Sequence, residues 1–142
     1  MIRKPLLASA SLAIAAGLAV TAMVAAAVGD HRDPVTVRIS VHYSHYSASV
    51  VTVPAGRPVT FILDNTDPID HEWILGDAAV QERHRTGTEP YHASRPSEVS
   101  LDAGTTKTTT ITFDTPQVLT FVCHLPGHEA YGMTGTLIVT AP

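Results

Sequence analysis

Residues 107–140 read KTTTITFDTPQVLTFVCHLPGHEAYGMTGTLIVT. The segment 107–113 alternates with the two-residue period of a β-strand, and 118–123 has the continuous apolar character of a buried strand. A last strand is predicted at 135–140. The loop between the last two strands contains the single cysteine of the chain and is its most informative segment.

The same strand pattern continues upstream of this region. Strands are predicted at 35–41 (VTVRISV), 50–53 (VVTV), 58–63 (PVTFIL) and 71–75 (HEWIL), separated by turn-forming residues. Seven or eight short strands with turns between them favour an all-β Greek-key sandwich. Segment 76–97 is polar and contains two prolines, so it is expected to form a long insert with at most one or two helical turns near 77–85.

Composition excludes several classes of protein. A chain of 142 residues with 44% hydrophobic and 15% charged residues is typical of one folded domain, not of a disordered tail. The net charge of −4 gives no support to nucleic-acid binding. One cysteine can form neither an internal disulfide nor a multi-cysteine zinc or iron–sulfur site.

The N-terminal segment has the pattern of a targeting sequence. Arg3 and Lys4 precede a run without charge that extends to residue 29, and Ala25 and Ala27 form a small-x-small cleavage motif. Residues 1–29 are therefore predicted to be an export signal, followed by one domain at 30–142. The uncharged run is also long enough to span a bilayer, so an uncleaved anchor on the outer face of the cytoplasmic membrane is an alternative. Either way, a periplasmic or extracellular location is expected.

The cysteine loop carries three side chains that bind soft metal ions. Cys123, His128 and Met133 follow a Cys-x4-His-x4-Met spacing, and His71 begins a predicted strand about fifty residues upstream. Two imidazoles and one thiolate, with a weak axial thioether, are the ligands of a blue-copper electron-transfer site. Such a ligand set accommodates both oxidation states of copper with little rearrangement.

Each of these residues also has an ordinary structural explanation. Taken singly, a cysteine is commonly a small buried side chain and a methionine a filler of the core. Those explanations do not require a histidine and a methionine five and ten residues after the cysteine. An exported protein with an unpaired cysteine also needs a reason to keep it, because an exposed thiol oxidises. The joint pattern therefore favours a metal site.

His71 together with CHLPGHEAYGM (123–133) resembles the copper site of the cupredoxins, with a loop spacing similar to that of rusticyanin and sulfocyanin. Residues 54–73 (PAGRPVTFILDNTDPIDHEW) resemble the strand and loop that supply the first histidine in that family, and the resemblance extends over about 35–140. It implies an eight-stranded sandwich and one copper ion, cycling between Cu(I) and Cu(II), on His71, Cys123, His128 and Met133. Many members have Asn or Ser after the first histidine, where this chain has Glu72, so the group that bridges the two ligand loops is left open.

The sequence gives less evidence of a functional role for the other histidines. His124 follows the cysteine, as in multicopper oxidases, but the chain has no His-x-His pair, and an oxidase is not expected. His42 and His45 are three residues apart, which in a strand places them on opposite faces, and both are expected at the surface.

Two further histidines, His84 and His92, lie in the insert and are expected in a solvated polar loop. A second metal site or a lid for partner docking is the alternative there. Trp73 and Phe121 are expected to pack in the core.

The leading functional hypothesis is a monomeric blue-copper protein that carries single electrons between redox partner proteins and transforms no substrate. The alternative is a copper-handling protein, a chaperone or buffer that uses the same ligands. A zinc-binding or metal-free structural domain is disfavoured because a thioether is a poor zinc ligand.

Overall fold

The computed structural model describes residues 34–87, 92 and 95–142. Within these ranges the chain forms nine strands and one helix. In chain order they are β1 (Val35–His42), β2 (His45–Tyr46), β3 (Val50–Pro54), β4 (Pro58–Asn65), β5 (His71–Gly76), α1 (Ala78–Thr86), β6 (Glu98–Leu101), β7 (Thr106–Thr112), β8 (Gln117–Val122) and β9 (Thr134–Thr140). All seven strands predicted from the sequence are present, and β2 and β6 are additional short strands.

The strands form two sheets, with the orders β2-β1-β4-β7 and β3-β9-β8-β5-β6. Strands β1 and β4 are parallel, as are β3 and β9, and every other pair in the two sheets is antiparallel. Because consecutive strands often lie in different sheets, the chain crosses repeatedly between the two layers. The predicted all-β sandwich is confirmed.

The core lies between the two layers. Strand β4 alternates buried and half-buried residues, which directs Phe61 towards the opposite sheet. Its ring centroid lies 4.9 Å from that of Trp73, and the Trp73 ring lies 6.3 Å from that of Phe121. Gly135 packs beneath Phe121, where a Cβ atom would overlap the phenylalanine ring. Trp73 and Phe121 are thus core residues, as the sequence predicts.

The insert after β5 begins with a helix, close to the predicted position near 77–85. Helix α1 has nine residues, and the Asp77 side chain caps it by accepting a hydrogen bond from the backbone N–H of Val80 at 2.9 Å. Gln81 is the buried residue of this helix. Its side-chain amide donates to the backbone carbonyls of Ile74 on β5 and Thr120 on β8, at 3.1 and 2.9 Å. These bonds fasten the helix to β5 and β8.

The predicted leader, residues 1–29, lies outside the described residues. Among the residues that the structure does describe, no helix is both long and apolar enough to cross a membrane.

Candidate metal centre

Three of the four predicted ligands, His71, Cys123 and His128, lie together at one end of the sandwich, and Met133 ends the same loop as the last two. Strands β5 and β8 are antiparallel neighbours, so the first residue of β5, His71, lies beside the end of β8. Cys123 directly follows β8, and the loop from there to β9 contains His128 and Met133. The sheet register therefore joins a residue of one strand to a loop that begins about fifty residues later.

Three donor atoms converge at this end. His128 Nδ1 lies 3.2 Å from His71 Nδ1 and 3.2 Å from Cys123 Sγ. His71 and Cys123 are buried and His128 is half-buried. Metal bonds of about 2.0–2.3 Å to nitrogen and sulfur place neighbouring ligand atoms about 3.3–3.7 Å apart, so a single ion fits between these groups after small shifts. Two nitrogen donors and one sulfur donor are the set that suits copper.

Asp67 fixes the orientation of His71. Its carboxylate accepts a hydrogen bond from His71 Nε2 at 3.0 Å, which assigns the proton to Nε2 and directs the Nδ1 lone pair at the other donors. The same carboxylate accepts the backbone N–H groups of Tyr43 and Ser44, both at 2.7 Å. Burial raises the pKa of Asp67, but these backbone hydrogen bonds and the contact with His71 outweigh it, and the pKa lies below its ordinary value.

The turn that supplies those two N–H groups corrects one prediction. Tyr43 and Ser44 have positive φ angles of 50° and 56°, as in a tight two-residue hairpin turn. His42 and His45 therefore pair across the β1–β2 hairpin and do not lie on opposite faces of one strand. Both are exposed, as expected.

The thiol of Cys123 is protonated in the metal-free protein. Burial raises its pKa to about 11, although hydrogen bonds from the backbone N–H groups of Glu72 and Leu125 oppose that rise. A metal ion binds the thiolate and must therefore displace this proton.

Glu72 is the bridge that the sequence left open. Its Oε1 accepts the backbone N–H of His124 at 2.8 Å, which joins β5 to the cysteine loop. The hydroxyl of Tyr46 donates to the backbone carbonyl of Glu72 at 2.5 Å and anchors the same strand from the opposite sheet. A carboxylate thus makes the contact between the two ligand segments.

Met133 closes the cysteine loop. Its backbone N–H donates to the carbonyl of His128 at 3.0 Å, and its carbonyl accepts the N–H of Cys123 at 3.1 Å. The side chain is fully buried and belongs to the same core cluster as Cys123. The backbone of the predicted axial residue is therefore tied to both loop ligands.

The His124 side chain is directed away from the three donors. Its Nε2 lies 2.7 Å from Gln81 Oε1 on helix α1. Beside it, Arg85 of α1 forms a bidentate ion pair with Glu129 of the cysteine loop, with 2.8 Å between Arg85 Nη2 and Glu129 Oε1. Helix α1 is thus fastened to the loop as well as to the sheet.

The expectation that His84 and His92 lie in a solvated loop is wrong. Their side chains are only 5% and 4% exposed, and their ring centroids lie 4.9 Å apart. The reason is that α1 folds over the sheet edge beside β6, a strand that the sequence pattern did not reveal. Glu98 of β6 is buried beside both rings.

Sequence reasoning did not identify Asp67, Tyr46 or Glu98 as contributors to this region. Asp67 lies in a segment whose turn-forming composition explains an aspartate without any further role. Its position four residues before His71 is the only local signal of the contact. Glu98 reaches this region through the pairing of β6 with β5, and Tyr46 reaches it from the opposite sheet.

A two-layered β-sandwich that brings a His–Cys–His set together at one end is the arrangement of the cupredoxin class. A comparison with protein families agrees, because residues 12–139 match the family described as "Cupredoxin-like domain". The chain belongs to the cupredoxin-like family.

Two curated relatives are both named "Copper-resistant cuproprotein CopI". The protein of Rubrivivax gelatinosus is 31% identical over 98 residues, which cover 66% of this chain and 59% of the relative. That of Vibrio cholerae serotype O1 is 32% identical over 92 residues, covering 61% and 53% respectively. The chain thus spans somewhat more than half the length of these relatives.

Solved structures share the fold. Auracyanin B superimposes with a TM-score of 0.63 at 23% identity, covering 80% of this chain and 93% of that protein. Rusticyanin from Thiobacillus ferrooxidans has a TM-score of 0.56 at 18% identity, with coverages of 75% and 77%. At these identities the likeness establishes the cupredoxin fold alone.

Proposed function

We propose that the protein is a mononuclear blue-copper protein that carries single electrons between redox partner proteins outside the cytoplasm. The ligands in this proposal are His71, Cys123, His128 and Met133. Bound copper would supply a one-electron couple between Cu(I) and Cu(II). The observation that carries the proposal is the convergence of His71 Nδ1, His128 Nδ1 and Cys123 Sγ, with 3.2 Å from the His128 nitrogen to each of the others.

The donors are held in place by the protein. Asp67 fixes the ring of His71, Glu72 joins the two ligand segments, and the backbone of Met133 closes the loop. A preorganised set of donors changes little when the charge of the ion changes, which favours rapid electron transfer. This rigidity supports a carrier.

One ligand provides a route to the surface. His71 and Cys123 are buried, whereas His128 is half-buried and follows the exposed Pro126 and Gly127. Tyr131, whose ring packs over Gly127, is 73% exposed. We infer that partners dock against this end of the sandwich and exchange electrons through the His128 ring.

Voltammetry of the copper-loaded protein tests the carrier function. A reversible one-electron couple is expected, and copper should stay bound through repeated oxidation and reduction. Tyr131→Asp, which places a charge on the exposed surface beside His128 and leaves the four ligands unchanged, should slow electron exchange with a soluble redox protein. Irreversible voltammetry with loss of copper on reduction would contradict the proposal.

Copper handling is the second candidate, and the names of the CopI relatives favour it. A chaperone or buffer must release its metal, so the two functions differ in the lability of Cu(I). Reduced protein is mixed with a chromogenic Cu(I) chelator, and release is followed over time. Slow release compared with the turnover of the redox couple supports the carrier, and rapid release supports handling.

The location and oligomeric state belong to the same proposal. Intact mass of protein from its native host should begin near residues 28–30 if the leader is cleaved close to Ala27. Recovery of the full-length chain in membranes would support the anchor instead. A monomer is expected by light scattering.

A further inference from the structure

The side chains of His84, His92 and Glu98 form a second group of metal-binding type. The His84–His92–Glu98 cluster joins the last turn of α1, the following segment and β6, and its ligand atoms all lie within 4.8 Å of one another. Glu98 Oε2 lies 3.7 Å from His84 Nε2 and 3.9 Å from His92 Nδ1. Neither function proposed above uses these side chains.

One nitrogen of this cluster is buried without a hydrogen-bond partner. His84 Nδ1 lies 2.8 Å from the backbone carbonyl of Val80, one turn back in α1. Since a carbonyl only accepts, Nδ1 carries a proton, and Nε2 of the neutral imidazole presents a lone pair. That Nε2 atom makes no hydrogen bond and faces Glu98, in a side chain that is 95% buried. A buried lone pair directed at a carboxylate is unfavourable unless a cation lies between them.

The two oxygens of Glu98 have different surroundings. Oε1 accepts hydrogen bonds from Arg83 at 2.8 Å and Arg95 at 3.0 Å, whereas Oε2 faces the two imidazoles. The arginines therefore orient the carboxylate from one side and direct the other oxygen at the histidines. Burial raises the pKa of Glu98, but the hydrogen bond from Arg95 and the charges of Arg95 and Arg83 oppose it, and the pKa lies below its ordinary value. The carboxylate is thus ionised and able to bind a cation.

His92 is oriented in a comparable way. Its Nε2 lies 3.5 Å from Glu72 Oε2, on the side of the ring opposite to the nitrogen that faces Glu98. Metal-binding histidines commonly direct their second nitrogen at a carboxylate or carbonyl in this manner. Val80 and Glu72 supply such groups for His84 and His92 respectively.

We propose that the His84–His92–Glu98 cluster is a second metal site, which binds a divalent transition-metal ion through two imidazole nitrogens and one carboxylate oxygen. An ion with bonds of about 2.0–2.1 Å needs its ligand atoms about 3.3 Å apart. Side-chain rotations that move each ligand atom by less than about 1 Å assemble the site. Nitrogen and oxygen ligands without sulfur suit Cu(II) and Zn(II), and Cu(II) binds more tightly in the general order of affinities. A cleft lined by Glu72, His84, His92 and His124 gives access from solvent.

The second site adjoins the first through Glu72. One oxygen of this carboxylate bonds to the cysteine loop and the other faces His92. A cation held by His92 is therefore linked to the cysteine loop through the His92 ring and the Glu72 carboxylate. The site adds capacity for a second ion of a different chemical character, which is beyond what an electron carrier needs.

Zinc titration of the reduced, copper-loaded full chain tests the proposal, because Cu(I) fills the cysteine site and is diamagnetic. Calorimetry should give one further equivalent of Zn(II). His84→Gln and His92→Gln should each weaken binding of this zinc equivalent by more than about 100-fold. That loss exceeds the one expected when a group that only orients a ligand is removed, which is at most about 100-fold. His45→Gln, which changes an exposed histidine of the hairpin, is the matched control and should bind as the wild type does.

Two further readouts keep the outcome clear if a variant folds poorly. In the wild type, Zn(II) should shift the imidazole nitrogen resonances of His84 and His92 and leave those of His45 unchanged. Cu(II) added to the oxidised protein should give a second EPR signal with the wide hyperfine splitting of a thiolate-free site. The thiolate-to-copper absorption band, measured in every variant, reports separately on the first site and on the proposed electron carrier. Absence of a second equivalent in the wild type, or its persistence in both histidine variants, would overturn the proposal.

Discussion

Asp67 and His71 form a buried carboxylate–imidazole pair, with 3.0 Å between Oδ2 and Nε2. Because Asp67 also holds the β1–β2 turn through two backbone N–H groups, the pair ties the orientation of the first ligand to a hairpin of the other sheet. The geometry of the proposed copper site thus depends on contacts between the layers as well as on the ligand loop.

Asp67→Asn should raise the reduction potential. The amide keeps an oxygen that can accept from His71 Nε2, but the negative charge that favours Cu(II) is lost. The attraction of a unit charge across one imidazole ring is about 2 kcal/mol at an effective dielectric constant of about 20, or about 100 mV for one electron. Voltammetry measures the shift. Asp67→Ala, which removes the acceptor as well, should lower copper affinity by about 10–100-fold. Unchanged potential and affinity in both variants would show that the pair does not tune the metal.

Glu72→Ala should destabilise the protein, because it leaves the backbone N–H of His124 without its acceptor. The expected loss is about 1–3 kcal/mol in the free energy of unfolding of the metal-free protein. Glu72→Gln is the matched control, since its amide oxygen can still accept this bond and only the charge is removed. Urea unfolding measures both variants. Equal losses for Ala and Gln would mean that charge, not the bridge to the cysteine loop, is what matters.

Met133→Leu should raise the reduction potential and Met133→Gln should lower it. Leucine removes the weak thioether donor, which costs Cu(II) more than Cu(I), whereas glutamine offers a harder oxygen donor that favours Cu(II). Both variants should still bind copper, because His71, Cys123 and His128 provide most of the affinity. Protein-film voltammetry should give the order Leu above Met above Gln. Identical potentials would rule out Met133 as the axial ligand.

The metal-free protein should keep its β-sheet circular dichroism. Of the four proposed ligands, only Cys123 and Met133 belong to the hydrophobic core around Phe61, Trp73 and Phe121. The core therefore does not depend on a bound metal ion. Copper should raise the melting temperature because it binds the native state. When its free concentration is about 1,000 times the dissociation constant, it adds about 4 kcal/mol to the free energy of unfolding. Thermal unfolding with and without copper measures the difference. A metal-free protein that is unfolded at room temperature would contradict this prediction.

Strands β1 and β7 were predictable because their residues alternate with a two-residue period, and β5 and β8 because they are short apolar runs. The ligand loop was predictable because three of its donors lie close together in the sequence. Strand β6 was not, because four residues after a polar segment carry too little pattern to distinguish a strand from a loop.

The sequence predicts a turn or two of helix near 77–85, and α1, with nine residues, is only slightly longer. This helix is largely polar, and it is held by the Asp77 cap and by bonds from Gln81 to carbonyls of two strands, not by an apolar stripe. Since β6 and α1 together bury His84, His92 and Glu98, their cluster could not be found by spacing alone. Its members meet only through tertiary packing.

The absorption spectrum of the oxidised, copper-loaded protein, recorded beside that of Cys123→Ser, tests the central claim most directly. The wild type should contain copper in the cysteine site and show an intense visible thiolate-to-copper band. Cys123→Ser should lose that band while keeping its β-sheet circular dichroism, because the serine oxygen cannot supply the charge transfer. A wild-type protein that binds copper without the band, or a serine variant that keeps it, would show that Cys123 does not bind the metal.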